Sequence, residues 1–159
     1  MPTISGFSDE FIANSLYAPE AWFLHELLSV DHEAQRVRAR MDTTALGQLV
    51  AAQRTDSGHA LHVPAACIIQ ATGVLGNVHA REMLGLKGEE GWFGYGTRVS
   101  SARFHRMGLI GPPVIAVLQV KKARQMRGTW FVDYAFEFLQ DDEPIYTSEQ
   151  SAVWLREQA

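Results

Sequence analysis

The segment PAACIIQATGVLGNVHAREMLG, from Pro64 to Gly85, constrains the fold more than any other part of the chain. Its apolar residues include Ala65, Ala66, Cys67, Ile68, Ile69, Val74, Leu75, Val78, Met83 and Leu84. They occupy most of a helix circumference rather than one stripe, so a helix here has to be buried on several sides. Pro64 suits the first turn, where its missing N–H costs nothing, and Gly85 is a natural stop. Gly73 and Gly76 each weaken helix propensity by roughly 1 kcal/mol relative to Ala, so packing must hold the helix together. The same glycines let another backbone approach closely. Something must wrap around this helix.

The downstream chain supplies the wrapping. WFGYGTRVSSARF, PVIAVLQVKKARQMR, TWFVDYAFEFLQ and PIYTSEQSAVWL are rich in β-branched and aromatic residues, and GLIGPP, RG and QDDEP separate them as turns. They read as successive antiparallel strands. Alternation places Trp130, Val132, Tyr134, Phe136 and Phe138 on one face of theirs, and Tyr146, Ser148, Gln150, Ala152 and Trp154 on one face of the last. Upstream, Val37, Ala39 and Met41 alternate with Arg36, Arg38 and Arg40, the pattern of a half-buried strand. WFLHELLSV, from Trp22 to Val30, fits strand or helix, and TTALGQLVAAQRTDSG reads as a short strand followed by a loop. Residues 1–20 read as a helical extension, with Ser8 capping Asp9 to Ile12. The expectation is one α+β domain over residues 1–159, a curved antiparallel sheet enclosing one long hydrophobic helix.

A chain of 159 residues that is 47% hydrophobic and 20% charged can bury a substantial core. Its net charge of -4 argues against the broad basic field of a nucleic-acid binder. No run of 18 apolar residues occurs, and MPTISGFSDEF lacks the basic start and apolar core of a signal peptide. A soluble, cytoplasmic protein without a membrane partner is expected. The lone Cys67 cannot form an intramolecular disulfide, and its apolar neighbours mark it as a small buried hydrophobe. Of the six histidines only His59 and His62 stand close together, and they lack a third donor beyond Asp56, so neither a metal nor another cofactor is expected.

A central apolar helix entered through a Gly-His loop, Gly58–His59, preceded by a strand and followed by a long meander, resembles the hotdog superfamily of acyl thioesterases and hydroxyacyl dehydratases. The likeness covers about Trp22 to Leu155. Within the superfamily the pattern is most similar to the FcoT-like, type III fatty acyl-CoA thioesterases, which have a Ser/Thr-Gly-His loop, a catalytic asparagine where Gln70 stands here, and a segment like Ser101 to Phe104. Gln70 is one methylene longer than that asparagine, and Gln53 stands where the family has a tyrosine. The resemblance implies a hotdog fold, an acyl-CoA or acyl-carrier-protein substrate, and a homodimer or larger homo-oligomer.

The residues themselves allow several roles. An amide cannot take up a proton, so Gln70 can orient water or hold a thioester carbonyl, or it can be a buried amide satisfied by the backbone. The N–H groups of Ala65 and Ala66 at the helix start carry the positive end of the dipole and can stabilise an oxyanion. Asp56, His59 and His62 are candidate bases or positioning groups, although Asp56 beside Ser57 and Gly58 equally suits a turn. Lys121, Lys122 and Arg124 can meet the phosphates of a pantetheine-bearing carrier or protect a sheet edge. Dehydration requires an acid beside the loop histidine, and no carboxylate occurs from Pro64 to Arg81. The readings in order are therefore an acyl thioesterase, a 3-hydroxyacyl dehydratase-like enzyme, and a non-catalytic acyl-binding protein.

Overall fold

The computed structural model describes residues 3–157. Its elements follow the chain as α1 (Asp9–Asn14), β1 (Glu26–Asp31), β2 (Arg36–Met41), α2 (Gln48–Ala51), α3 (Ala65–Leu84), β3 (Trp92–Phe104), β4 (Val114–Met126), β5 (Thr129–Gln140) and β6 (Glu143–Arg156). All six strands form one antiparallel sheet in the order β1-β2-β4-β5-β6-β3, and α3 lies across its inner face. This is the hotdog architecture.

Local chemistry explains most of these elements. Pro64 stands immediately before α3 in extended conformation, and Gly85 ends the helix at φ 68°, a left-handed cap that releases its own N–H to the Ala80 carbonyl. Val37, Ala39, Met41, Leu118, Val132 and Phe138 point inward from the strands and meet Cys67, Ile68, Ala71, Val74, Leu75 and Val78 of α3 in the core. The β4–β5 and β5–β6 hairpins turn on Arg127–Gly128 and Asp141–Asp142, all at positive φ, as two-residue turns that match strand twist require. Upstream, Ser8 Oγ accepts from Phe11 N at 3.1 Å, and the rings of Phe7, Phe11 and Trp22 pack together with centres 5.1 to 5.6 Å apart. The N-terminal segment is therefore packed into the core.

Three expectations are corrected. TTALGQLVAAQRTDSG contains no strand: it begins with a single 3-10 turn at Thr43–Ala45 and continues into α2. Asp42 enforces the turn by accepting from Thr44 N at 3.0 Å and Thr44 Oγ1 at 2.7 Å, and Gly47 at φ 69° starts α2. The strands are antiparallel but not simply sequential, because β3 lies beyond β6 while β4, β5 and β6 form the meander. Finally, α3 is not enclosed all round. Ala65, Ala66 and Gly73 are exposed and Ile69 is 54% exposed, so the sheet leaves part of the helix surface uncovered.

Candidate active site

The loop into α3 is built by a glutamine clamp. Gln53 Nε2 donates to the His62 carbonyl at 2.7 Å, and His62 N donates to Gln53 Oε1 at 3.1 Å, so the side chain pairs with the loop like a neighbouring strand. A turn closed by Gly58 N to the Thr55 carbonyl, 2.8 Å, presents Asp56, Ser57 and His59 to solvent. The His59 and His62 rings meet edge to face at 5.9 Å, and both Nδ1 atoms lie near the Ala60 carbonyl, at 3.3 and 3.4 Å. Val63 N donates to Gly108 O at 2.8 Å and delivers the chain to the helix start. There Cys67 N is bonded to Pro64 O at 3.0 Å, while the preceding N–H groups of Ala65 and Ala66 have no side-chain cap.

Gln70 sits on the open face of α3, half-buried, at the wall of a cavity of about 260 Å³ between the helix and strands β3, β5 and β6. Gly73, Gly76 and Asn77 continue the helix side; Tyr134, Gln150 and Trp154 come from the sheet; Gly94 and Tyr95 come from β3. Gln70 makes no side-chain hydrogen bond among the described residues. Thr72 Oγ1 donates to the Ile69 carbonyl at 2.7 Å, and Gln150 Nε2 donates to Ser148 Oγ at 3.0 Å, so the polar neighbours on the cavity floor are already engaged. The lining contains neither a carboxylate nor an imidazole, and Asp56, His59 and His62 are not part of it. Within one chain the loop and the amide do not share a pocket.

The polar residues around Asn77, His79, Arg81 and Glu82 suggest that α3 emerges toward solvent here, but below the cavity lies a buried pair, His79 and Tyr134. His79 is fully buried, with Nδ1 2.8 Å from the Tyr134 hydroxyl, and burial holds its pKa down to about 4, so the ring is neutral near pH 7. Burial likewise raises the Tyr134 pKa, with the Trp154 indole partly opposing it. Cys67 is pushed up to about 11 by burial, which leaves a thiol rather than a nucleophilic thiolate. The signal available for Tyr134, Gln150 and Trp154 was the inward alternation of β5 and β6. Alternation specifies a face, not a cavity.

The basic cluster divides. A register shift between Val120 and Lys122 makes Lys121 the extra residue of a β-bulge, after which Lys122 pairs with Asp133 and Arg124 with Phe131. Lys122 and Arg124 then join Arg98 of β3, which the sequence reading missed, around a cavity of about 240 Å³, with Arg124 5.6 Å from the Phe131 ring centre. Since the intervening Val132 is buried in the core, these residues face the outer side of the sheet, away from α3. They cannot touch an acyl group lying beside Gln70. No described group of three or more His, Cys, Asp or Glu side chains can hold a metal ion, and no described helix is long and apolar enough to cross a membrane.

No protein-family model and no curated protein matches the sequence. The fold, by contrast, is similar to solved structures. A mutant thioesterase from Pseudomonas aeruginosa is 14% identical, with 82% of this chain and 81% of that one covered at a TM-score of 0.57. A dehydratase heterocomplex from Xenorhabdus doucetiae is also 14% identical, covering 89% and 87% at 0.60. The E. coli PaaI protein, from the phenylacetic acid degradation operon, is 16% identical, covering 79% of each chain at 0.55. At these identities the likeness establishes the shared fold.

Proposed function

We propose that this protein hydrolyses acyl thioesters of CoA or of an acyl carrier protein, with water as the nucleophile. The observation that carries the reading is the Gln70-lined cavity on the open face of α3, beside a helix start whose first N–H groups are uncapped. Ala66 and Gln70 stand four residues apart and so share a face. An acyl chain lying along the cavity puts its thioester at this end, where the helix start stabilises the developing oxyanion and Gln70 orients the carbonyl or the water. The similarity to the FcoT-like thioesterases, with an amide at this position, supports the same assignment.

The cavity supplies no base, and an amide cannot act as one. We assign that role to Asp56 or His59 from a second copy of the chain, with His62 beside them. Two features support a homodimer. β3 is a 13-residue edge strand with Phe93, Tyr95, Val99 and Phe104 exposed, a template for pairing, and the open face of α3 meets the same strand across the cavity. Lys122 and Arg124, on the outer sheet side, and Lys121, at the bulge beside them, fall to the carrier: its phosphates or the acidic surface of a carrier protein.

Dehydration is disfavoured by the helix itself. Glu82, the first carboxylate of α3, is twelve residues and roughly 18 Å beyond Gln70 along the axis. A panel of acyl-CoAs and 3-hydroxyacyl-CoAs, followed for both released thiol and enoyl product, tests these readings. Thiol release is expected. Enoyl product alone returns the protein to the dehydratases, and saturable binding without either product makes it an acyl-binding protein.

A further inference from the structure

On the outer face of the sheet, Lys122 of β4, Asp133 of β5, Ser151 of β6 and Arg98 of β3 stand directly opposite one another, so one row crosses four strands with a cation at each end. Each of these cations follows a β-bulge, formed by Lys121 in β4 and by Thr97 in β3, and a bulge bends its strand and re-aims the next side chain. The row is therefore hollowed rather than flat. The cavity of about 240 Å³ lies here, and Arg124 and Phe131 of the neighbouring row complete its wall. Ser151 and Ala152 border both this cavity and that of Gln70, so the two lie back to back across the sheet.

Charge makes the hollow selective. Among the described residues Arg98, Lys122 and Arg124 enter no ion pair, and the one carboxylate of the lining, Asp133, accepts from Ser151 Oγ at 2.7 Å. Three cations against one carboxylate leave a local charge of +2 in a chain whose net charge is -4. Gathered cations repel one another, and a dianion between them relieves that repulsion. The Arg124 guanidinium stands 5.6 Å from the centre of the Phe131 ring, an aromatic support that leaves its N–H groups for an anion. A phosphate monoester brings a charge of about -1.5 to -2 at pH 7, whereas a phosphodiester brings only one. An acidic carrier protein fits this face less well. Laid across it, such a surface would meet Glu149 and Glu137 in the next two rows, where like charge opposes it.

We propose that this hollow binds a phosphate monoester, held by Arg98, Lys122 and Arg124, in preference to a phosphodiester. Two kinds of molecule present that group: CoA, whose ribose phosphate is a monoester, and a free nucleotide. The prosthetic arm of a carrier protein is joined through a phosphodiester, so a site of this kind also separates CoA esters from carrier-protein esters. The CoA source rests on the thioesterase reading, and the free-nucleotide source does not.

The test is calorimetric titration of the full chain with two matched pairs, AMP against cyclic AMP and CoA against dephospho-CoA, in each of which only the first member has a phosphate monoester. At least one pair should show a preference of about tenfold for the monoester. Replacing Lys122→Gln and Arg124→Gln together, both at exposed positions, should shrink it to about twofold. A preference within the CoA pair, with KM for octanoyl-dephospho-CoA raised about tenfold over octanoyl-CoA at similar kcat, identifies CoA as the source. A preference within the AMP pair alone identifies a free nucleotide. Preference in neither pair, a preference that survives in the folded double variant, or binding of an acyl carrier protein alone through the cluster would overturn the proposal. Thiol release from octanoyl-CoA is followed in parallel. Hydrolysis without a monoester preference removes the phosphate site alone, whereas a preference without hydrolysis removes the thioesterase reading alone.

Discussion

Two glutamines show what the same amide does in two settings. Gln140, at the end of β5, is 1% exposed and fully engaged: its Oε1 accepts from Leu109 N, and its Nε2 donates to the carbonyls of Leu109 and Pro112, each at 2.8 Å. With Thr43 Oγ1, which donates to Pro112 O at 3.1 Å and accepts from Gly111 N at 2.9 Å, it ties the β3–β4 crossing to the chain after β2. Gln70, half-buried at a cavity wall, makes no such bond. One amide completes the protein's own backbone, and the other stands with its bonds unmade at a cavity wall. A polar side chain in apolar surroundings is thus structural or available according to whether its bonds are already made.

The largest expected effect tests the structural half of this comparison. Gln140→Ala strands the N–H and carbonyl of Leu109 and removes one acceptor contact at Pro112, at a cost of about 4 kcal/mol. Chemical denaturation should show that loss, while the folded fraction turns over thioesters at the parent rate. Gln70→Ala should do the opposite. Its stability should stay within about 0.5 kcal/mol of the parent, while kcat falls on the order of a hundredfold, as for loss of one preorganised donor. An early-melting Gln70→Ala with unchanged turnover would erase the distinction. Mixing Gln70→Ala with Asp56→Asn protomers should restore part of the activity lost in each, because one site in the mixed dimer then keeps both groups. No recovery on mixing would remove Asp56 of the partner from the site.

The buried His79 sharpens the comparison from the side of pH. Its native pKa of about 4 lies below the ordinary histidine value of 6.5, so between these values the unfolded chain binds the proton that the folded chain refuses. Stability should therefore be full above about pH 6.5, fall as pH drops toward 4, and level off below it, by up to about 3 kcal/mol for this group. His25, lowered by burial, acts with the same sign. Replacing His79 by Phe should flatten most of the slope in urea titrations taken across that range. The smallest effect is expected at the outer basic cluster. Neutralising Lys122 and Arg124 should raise KM several-fold with kcat nearly unchanged, because contacts remote from the thioester bind ground and transition states alike. Equal KM for CoA and carrier-protein esters before and after the change would leave the cluster as sheet-edge protection.

The sequence by itself determined what local periodicity controls. The span of α3, its glycine stop, the strand segments after it and the inward faces of β5 and β6 follow from side-chain spacing and turn chemistry, which act within a few residues. The hotdog resemblance, carried by Gly58–His59 at the mouth of an apolar helix, was legible for the same reason, as a short motif at fixed spacing. What tertiary structure decided depends on partners far away in the chain. Placing β3 beyond β6 left an open face on α3, and that face turned Gln70 from an amide in an apolar run into the wall of a cavity. Packing against Gly94 and Gly76 brought Trp154 to the cavity, and pairing with β5 through the Lys121 bulge sent Lys122 and Arg124 to the opposite side of the sheet. In each case the side chain's direction is local, but what it meets is set by which strands pair and in what register, and that emerges only when the whole core closes.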